Sequence, residues 1–122
     1  MHSILVVEDE ELLRRAYGII LSTVPYDVHL AIDGKQALEM CGRNVYDLIL
    51  LDLMMPEMNG VEFMEKFAPL KPEQTKIIML SNVSSSKELT YALKLGAEKS
   101  ALKASLSPKQ LLAMIRDELE TR

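Results

Sequence analysis

Apolar residues along this chain fall into short unbroken runs separated by stretches of helical spacing. Residues 4–7, 48–51 and 77–80 are runs of four, each bounded by polar or turn residues, which is the pattern of strands buried on both faces. Val28, Leu30 and Ile32 alternate instead, as an edge strand would, and Ser100-Ala101-Leu102 make a short last strand that ends at Lys103. Between the runs, apolar stripes at helical spacing comprise Leu13, Ala16, Ile20 and Val24, then Ala37, Leu38 and Cys41, then Val61, Met64 and Phe67. Leu89, Ala92, Leu93 and Gly96 make a fourth stripe, and Leu111, Ile115 and Leu119 a fifth. Capping pairs open four of these helices: Asp33 with Gln36, Asn59 with Glu62, Ser85 with Glu88, and Ser107 with Gln110, the last with Pro108 at the first helical position. Pro25, Pro69 and Pro72 stop helices, and residues 119–122 read as a frayed end. Five strands alternating with five helices predict a single α/β domain over residues 1–122, a doubly wound parallel sheet with right-handed crossovers.

Composition narrows the function classes. A formal charge of -4 over 122 residues leaves no basic stripe for nucleic acid. Glu8 interrupts the first apolar run too early for a signal peptide, and no run approaches the roughly 18 residues of a membrane span. Cys41 is the only cysteine, so no intrachain disulfide can form, and a cytoplasmic location is expected. The eight methionines read as core filler and loop packing, and His2 and His29 lack ligand spacing.

The chemistry collects where strands end. Glu8 and Asp9 follow the first strand, Asp52 closes the third, Ser81 and Asn82 follow the fourth and Lys103 the fifth. A parallel sheet delivers all of these to one edge, where open α/β sheets bind ligands. Three carboxylates crowded there repel one another unless a cation neutralises them, and an all-oxygen set suits Mg²⁺. Ser81 offers a hydroxyl donor and Lys103 a positive charge to an anion above such a metal, which together make a receptacle for a phosphoryl group with Asp52 as nucleophile. Taken singly, Asp52 could be a turn residue before Pro56, Glu8 and Asp9 could favour a helix dipole, and Lys103 could be a solvated surface lysine.

The ordered set of Glu8-Asp9, Asp52 with Met54-Met55-Pro56 and Asn59-Gly60, Ser81, Gly96-Ala97 and Lys103 resembles the receiver domain of bacterial two-component response regulators. That resemblance covers essentially the whole chain and implies a flavodoxin-like (CheY-like) fold with strand order 2-1-3-4-5. It also implies that Asp52 accepts phosphate from a histidine kinase or phosphotransfer protein. Mg²⁺ would then be held by Asp9, Asp52 and the backbone carbonyl of Met54, with Glu8 acting through a water. Ser81, Asn82 and Lys103 would contact the phosphoryl group, and Ser100 would stand at the switch position. Helix four, strand five and helix five, near Glu88, Tyr91, Lys94 and Gln110, would form the face for an effector, a fused output domain or a homodimer.

Two positions depart from the family pattern. Ser100 stands where an aromatic usually takes part in switching, so the loop after Asn82 and the surface around Tyr91 are expected to carry the change. Ala104 stands where a proline usually follows the lysine, so a trans peptide and a somewhat displaced Lys103 are expected. Met54 and Val83 flank the expected phosphate with apolar side chains, which predicts a long-lived acyl phosphate. A strand-end phosphohydrolase would use a second acid two positions after Asp52, and Met54 occupies that place, so sustained turnover is not expected. A phosphate-independent interaction module is the remaining alternative.

Overall fold

The computed structural model describes residues 1–120. Its sheet has five parallel strands: β1 (Ser3–Val7), β2 (Asp27–Ala31), β3 (Leu48–Asp52), β4 (Lys76–Ser81) and β5 (Lys99–Leu102), in the order β2-β1-β3-β4-β5. Five α-helices alternate with them: α1 (Glu11–Leu21), α2 (Gly34–Arg43), α3 (Gly60–Phe67), α4 (Lys87–Lys94) and α5 (Pro108–Glu120). Short 3₁₀ turns over Ala68–Leu70 and Lys103–Ser105 complete the element order among the described residues. The expected fold class and strand order are both present.

Every residue of β3 is buried, because the strand lies between β1 and β4 and has a helical layer on either face. Leu48 and Leu50 join the α1 and α5 residues Tyr17, Leu21, Leu111 and Ile115 on one side. Ile49 and Leu51 join Ala37, Phe63, Met64, Phe67, Leu89 and Ala92 of α2, α3 and α4 on the other. Alternation along a single strand thus feeds two separate cores.

The helix stripes need several corrections. In α1 the deepest residues are Tyr17 and Leu21, and Val24 lies beyond the helix end. In α3, Phe63 is buried with Met64 and Phe67, whereas Val61 is only partly covered. The α4 cap is Ser86, whose hydroxyl accepts the Leu89 N–H at 3.0 Å, so the helix starts one residue later than Ser85 would place it. Leu93 and Gly96 leave the buried stripe. Gly96 instead ends the helix at φ +126°, with its N–H on Leu93 O and the Ala97 N–H on Ala92 O, a Schellman closure that favours glycine. Leu30 is exposed and Ile32 lies past the end of β2, while Ala31 is fully buried. Leu119 and Glu120 belong to α5, so the frayed end does not begin at Leu119; residues 121 and 122 lie outside the described residues. The Asn59–Glu62 and Ser107–Gln110 boxes form reciprocally as expected.

The loop from β3 to α3 contains Glu57 at φ +67°, where the Met58 N–H reaches Pro56 O at 2.7 Å in a tight turn. A left-handed backbone costs a residue with a Cβ about 1 kcal/mol. Glu57→Gly should therefore raise stability by about that amount, read as a higher urea midpoint with an unchanged slope. Equal or lower stability would show that the turn carries no such cost.

Candidate functional site at the carboxyl edge of the sheet

The strand order reverses direction at β1, because β2 lies on one side of it and β3 on the other. Ligands of open α/β sheets bind beyond the carboxyl ends at such a switch point. Glu8 and Asp9 follow β1 here, and Asp52 ends β3 beside them. One carboxylate oxygen from each of the three lies within 4.8 Å of the others. Asp9 is exposed, whereas Glu8 is 1% and Asp52 3% exposed, so the cluster is open on one side only.

Lys103 sits directly on this cluster. Its ammonium lies 2.8 Å from Glu8 Oε1 and 2.9 Å from Asp52 Oδ1, with the side chain 9% exposed. The 3₁₀ turn after β5 brings it there through a trans bond to Ala104, and the expected displacement does not keep it from the acids. Glu8 is held further by the Glu10 N–H on Oε2 at 3.1 Å and, through its own N–H, by Ala31 O at 3.1 Å. Besides Lys103, the Asp52 carboxylate receives a long contact, 3.4 Å, from the Met54 N–H.

The electrostatics follow from one cation among three acids. Burial pushes the Asp52 carboxyl up to about 7 against the lowering pull of Lys103, and Glu8 adds to the rise. Burial alone would lower Lys103, but its hydrogen bonds to Glu8 and Asp52 outweigh that and raise it. Tyr17, on α1, is pushed up to about 12 by burial and lies within the field of Lys103, Glu8 and Asp52. The site thus holds more negative charge than Lys103 neutralises, on oxygen donors alone. A hard divalent cation such as Mg²⁺, which takes few protein carboxylates, fits that donor set.

The remaining expected residues occupy different surroundings. Ser81 is buried at the end of β4, and its hydroxyl accepts the Val83 N–H at 3.0 Å. Asn82 is exposed beside it. Met54, whose N–H reaches Asp52, is 62% exposed, and Val83, whose N–H reaches Ser81, is also exposed. Ser100 is half-buried in β5, paired in register with Met79. Glu88, Tyr91 and Lys94 are exposed on α4, where Tyr91 and Lys94 line a groove of about 410 Å³ with Ser85, Ser86, Lys87 and Thr90. The Tyr91 hydroxyl donates to Glu65 at 3.2 Å. Gln110 lies apart from that groove lining, in the first turn of α5, with its side chain accepting the Ser107 N–H.

Two residues at or near the acids carry no sequence signal of their own. Arg14 reaches back from α1 to the carbonyls of Glu8 and Asp9, and the buried Tyr17 lies within the field of Glu8, Asp52 and Lys103. Neither belongs to the α1 stripe of Leu13, Ala16, Ile20 and Val24 read from the sequence.

Residues 4–116 match the family model described as the response regulator receiver domain. The chain is 39% identical over 116 residues to the response regulator ArlR of Staphylococcus saprophyticus, covering 95% of this chain and 51% of that protein. It is 33% identical to the transcriptional regulatory protein SrrA of Staphylococcus aureus, covering 94% of this chain and 46% of that one. The chain therefore spans about half the length of these curated relatives. Among solved structures it resembles a CheY-like receiver domain protein from Methanospirillum hungatei, with TM-score 0.91, 28% identity and coverage of 98% and 94% of the two chains. It also resembles the response regulator TrrA of Thermotoga maritima in complex with Mg²⁺ and BeF, with TM-score 0.84, 28% identity and coverage of 97% and 99%.

Proposed function

The chain belongs to the response regulator receiver domain family, and we propose that it is the phosphoacceptor of a two-component pathway, with Asp52 taking a phosphoryl group from a histidine kinase or phosphotransfer protein. The observation that carries this reading is the cluster of Glu8, Asp9 and Asp52 around the Lys103 ammonium at the switch-point edge. In the transfer, an Asp52 carboxylate oxygen bonds to phosphorus as the bond from phosphorus to the donor nitrogen breaks. Lys103, already 2.9 Å from Asp52, is placed to meet a phosphoryl oxygen there.

Asp9, Asp52 and the Met54 carbonyl would hold Mg²⁺. Glu8, tied to Lys103 and to the Glu10 N–H, would act indirectly. When bound, Mg²⁺ supplies positive charge opposite the phosphoryl oxygens. The Ser81 hydroxyl accepts the Val83 N–H, so turning the side chain to donate to a phosphate would release that N–H and loosen the Asn82–Val83 loop. That loop leads into α4, where Glu88, Tyr91 and Lys94 face solvent. Output would pass through this face to an effector, a fused domain or a second copy, in a cytoplasmic pathway, without sustained turnover by the chain itself. No described helix is long and apolar enough to cross a membrane.

Incubation with Mg²⁺ and acetyl phosphate tests the assignment. One phosphoryl adduct by intact mass is expected in the wild type and none in Asp52→Ala. Multiple turnover would favour a hydrolase, and no adduct would favour a phosphate-independent module.

The exposed Met54 and Val83 offer no polar group to orient a hydrolytic water, so the adduct should decay slowly. Met54→Asn with Val83→Glu should lose phosphate faster, by up to about a hundredfold, the lower end of what a positioned acid–base group contributes. An unchanged or slower rate would refute this.

A further inference from the structure

Helix α1 begins at the acids, yet Glu10 at its N-cap position makes no side-chain capping bond. The segment that carries Glu8 and Asp9 must be fastened in some other way. The Arg14 guanidinium, on the first turns of the same helix, donates from Nη1 to Glu8 O at 2.9 Å and to Asp9 O at 3.2 Å. One group thus holds two consecutive carbonyls of the acid-bearing loop. On the other side, the Glu8 N–H is tied to Ala31 O in β2. The Glu8 carboxylate is fixed by Lys103 and the Glu10 N–H, but Arg14 gives Asp9 its fastening at the backbone.

From this geometry we propose that Arg14 is a positioning residue for the cation site, setting Glu8 and Asp9 by clamping their carbonyls. This inference rests on the Mg²⁺ reading above. Two effects oppose each other when Arg14 is removed. Loss of a positive charge beside three acids favours cation binding, while loss of the clamp frees the loop and disfavours it. Arg14 is only partly buried, so water and salt screen its charge, whereas the clamp is a direct hydrogen bond to each of the two carbonyls. The clamp should win. Groups that orient metal ligands typically change metal affinity by about 10- to 100-fold when removed.

The test is calorimetric titration of the unphosphorylated protein with Mg²⁺, at low and at high salt. Arg14→Ala is expected to weaken Mg²⁺ about tenfold, and more at high salt, where the opposing charge effect is screened. Arg14→Lys should recover most of the loss, because an ammonium can donate to both carbonyls. Arg15→Ala serves as the control, since Arg15 is exposed and pairs with Glu11, and it should leave affinity unchanged. Thermal melting in EDTA measures any general loss of stability separately. Unchanged or tighter Mg²⁺ binding in a folded Arg14→Ala protein would overturn the proposal, as would equal weakening by Arg15→Ala. If the wild type binds no Mg²⁺, the cation reading itself fails, which is a distinct outcome.

Discussion

Lys103→Met should be the most destabilising single change at the site, costing about 3 kcal/mol at neutral pH in metal-free buffer. The substitution keeps a side chain of similar length but leaves Glu8 and Asp52 buried without their shared cation. Breaking a buried ion pair by removing one partner costs roughly 3–5 kcal/mol, and the low end applies because exposed Asp9 marks a side of the site that water reaches. The sign with pH follows from Asp52. Its carboxyl titrates near 7 in the folded protein against 3.8 normally, so the folded state binds the proton more tightly than the unfolded one. Folded stability therefore falls as pH rises from about 4 through 7, and ionised Asp52 is a burden above that window. Lys103→Met should steepen this fall, and Asp52→Asn should flatten it. Added Mg²⁺ should restore Lys103→Met more than it stabilises the wild type. Chemical denaturation at pH 5 and pH 8, with and without Mg²⁺, measures each of these, and equal stability of Lys103→Met and wild type at pH 8 would refute the argument.

Gly60→Ala comes second. A Cβ at this position would lie 2.7 Å from Asp52 O and 2.9 Å from Leu53 Cα, and both of these are backbone atoms that cannot turn aside. Gly60 also donates its N–H to Leu53 O at 2.8 Å, so the close approach is part of how the chain returns from β3 into α3. Overpacking of this kind costs about 1–3 kcal/mol. The displaced backbone carries Asp52, so the rate of phosphorylation by acetyl phosphate should fall along with the melting temperature. Retention of both would show that the loop yields more freely than its contacts indicate.

The sequence made some parts of this molecule easy to see and hid others, for physical reasons. Unbroken apolar runs are buried on both faces here, so β1, β3 and β4 were plain, and a parallel sheet puts the acids that end β1 and β3 on one edge. Three serines in a row, Ser84-Ser85-Ser86, offered several cap positions for α4, and Glu88 favoured the wrong one by pairing at the right distance from Ser85. Gly96 looked like a small core residue because it falls on the α4 stripe, while its positive φ is a property of the backbone. Arg14 was invisible because a guanidinium that bonds main-chain carbonyls leaves no spacing pattern. Glu118 was missed for a related reason: it is 6% exposed in α5, and the cations that answer it, Lys76 and Lys99, belong to strands far away in sequence.

That last trio bears on how a change at Asp52 would travel. Lys76 opens β4 and Lys99 opens β5, and both meet Glu118 near the end of α5, at 3.7 Å and 3.1 Å. The opposite ends of the same two strands deliver Ser81 and Lys103. The sheet is therefore anchored at one extremity and addressed at the other. With that anchor holding the amino ends, a pull on Ser81 and Lys103 would be felt as a pivot about Glu118.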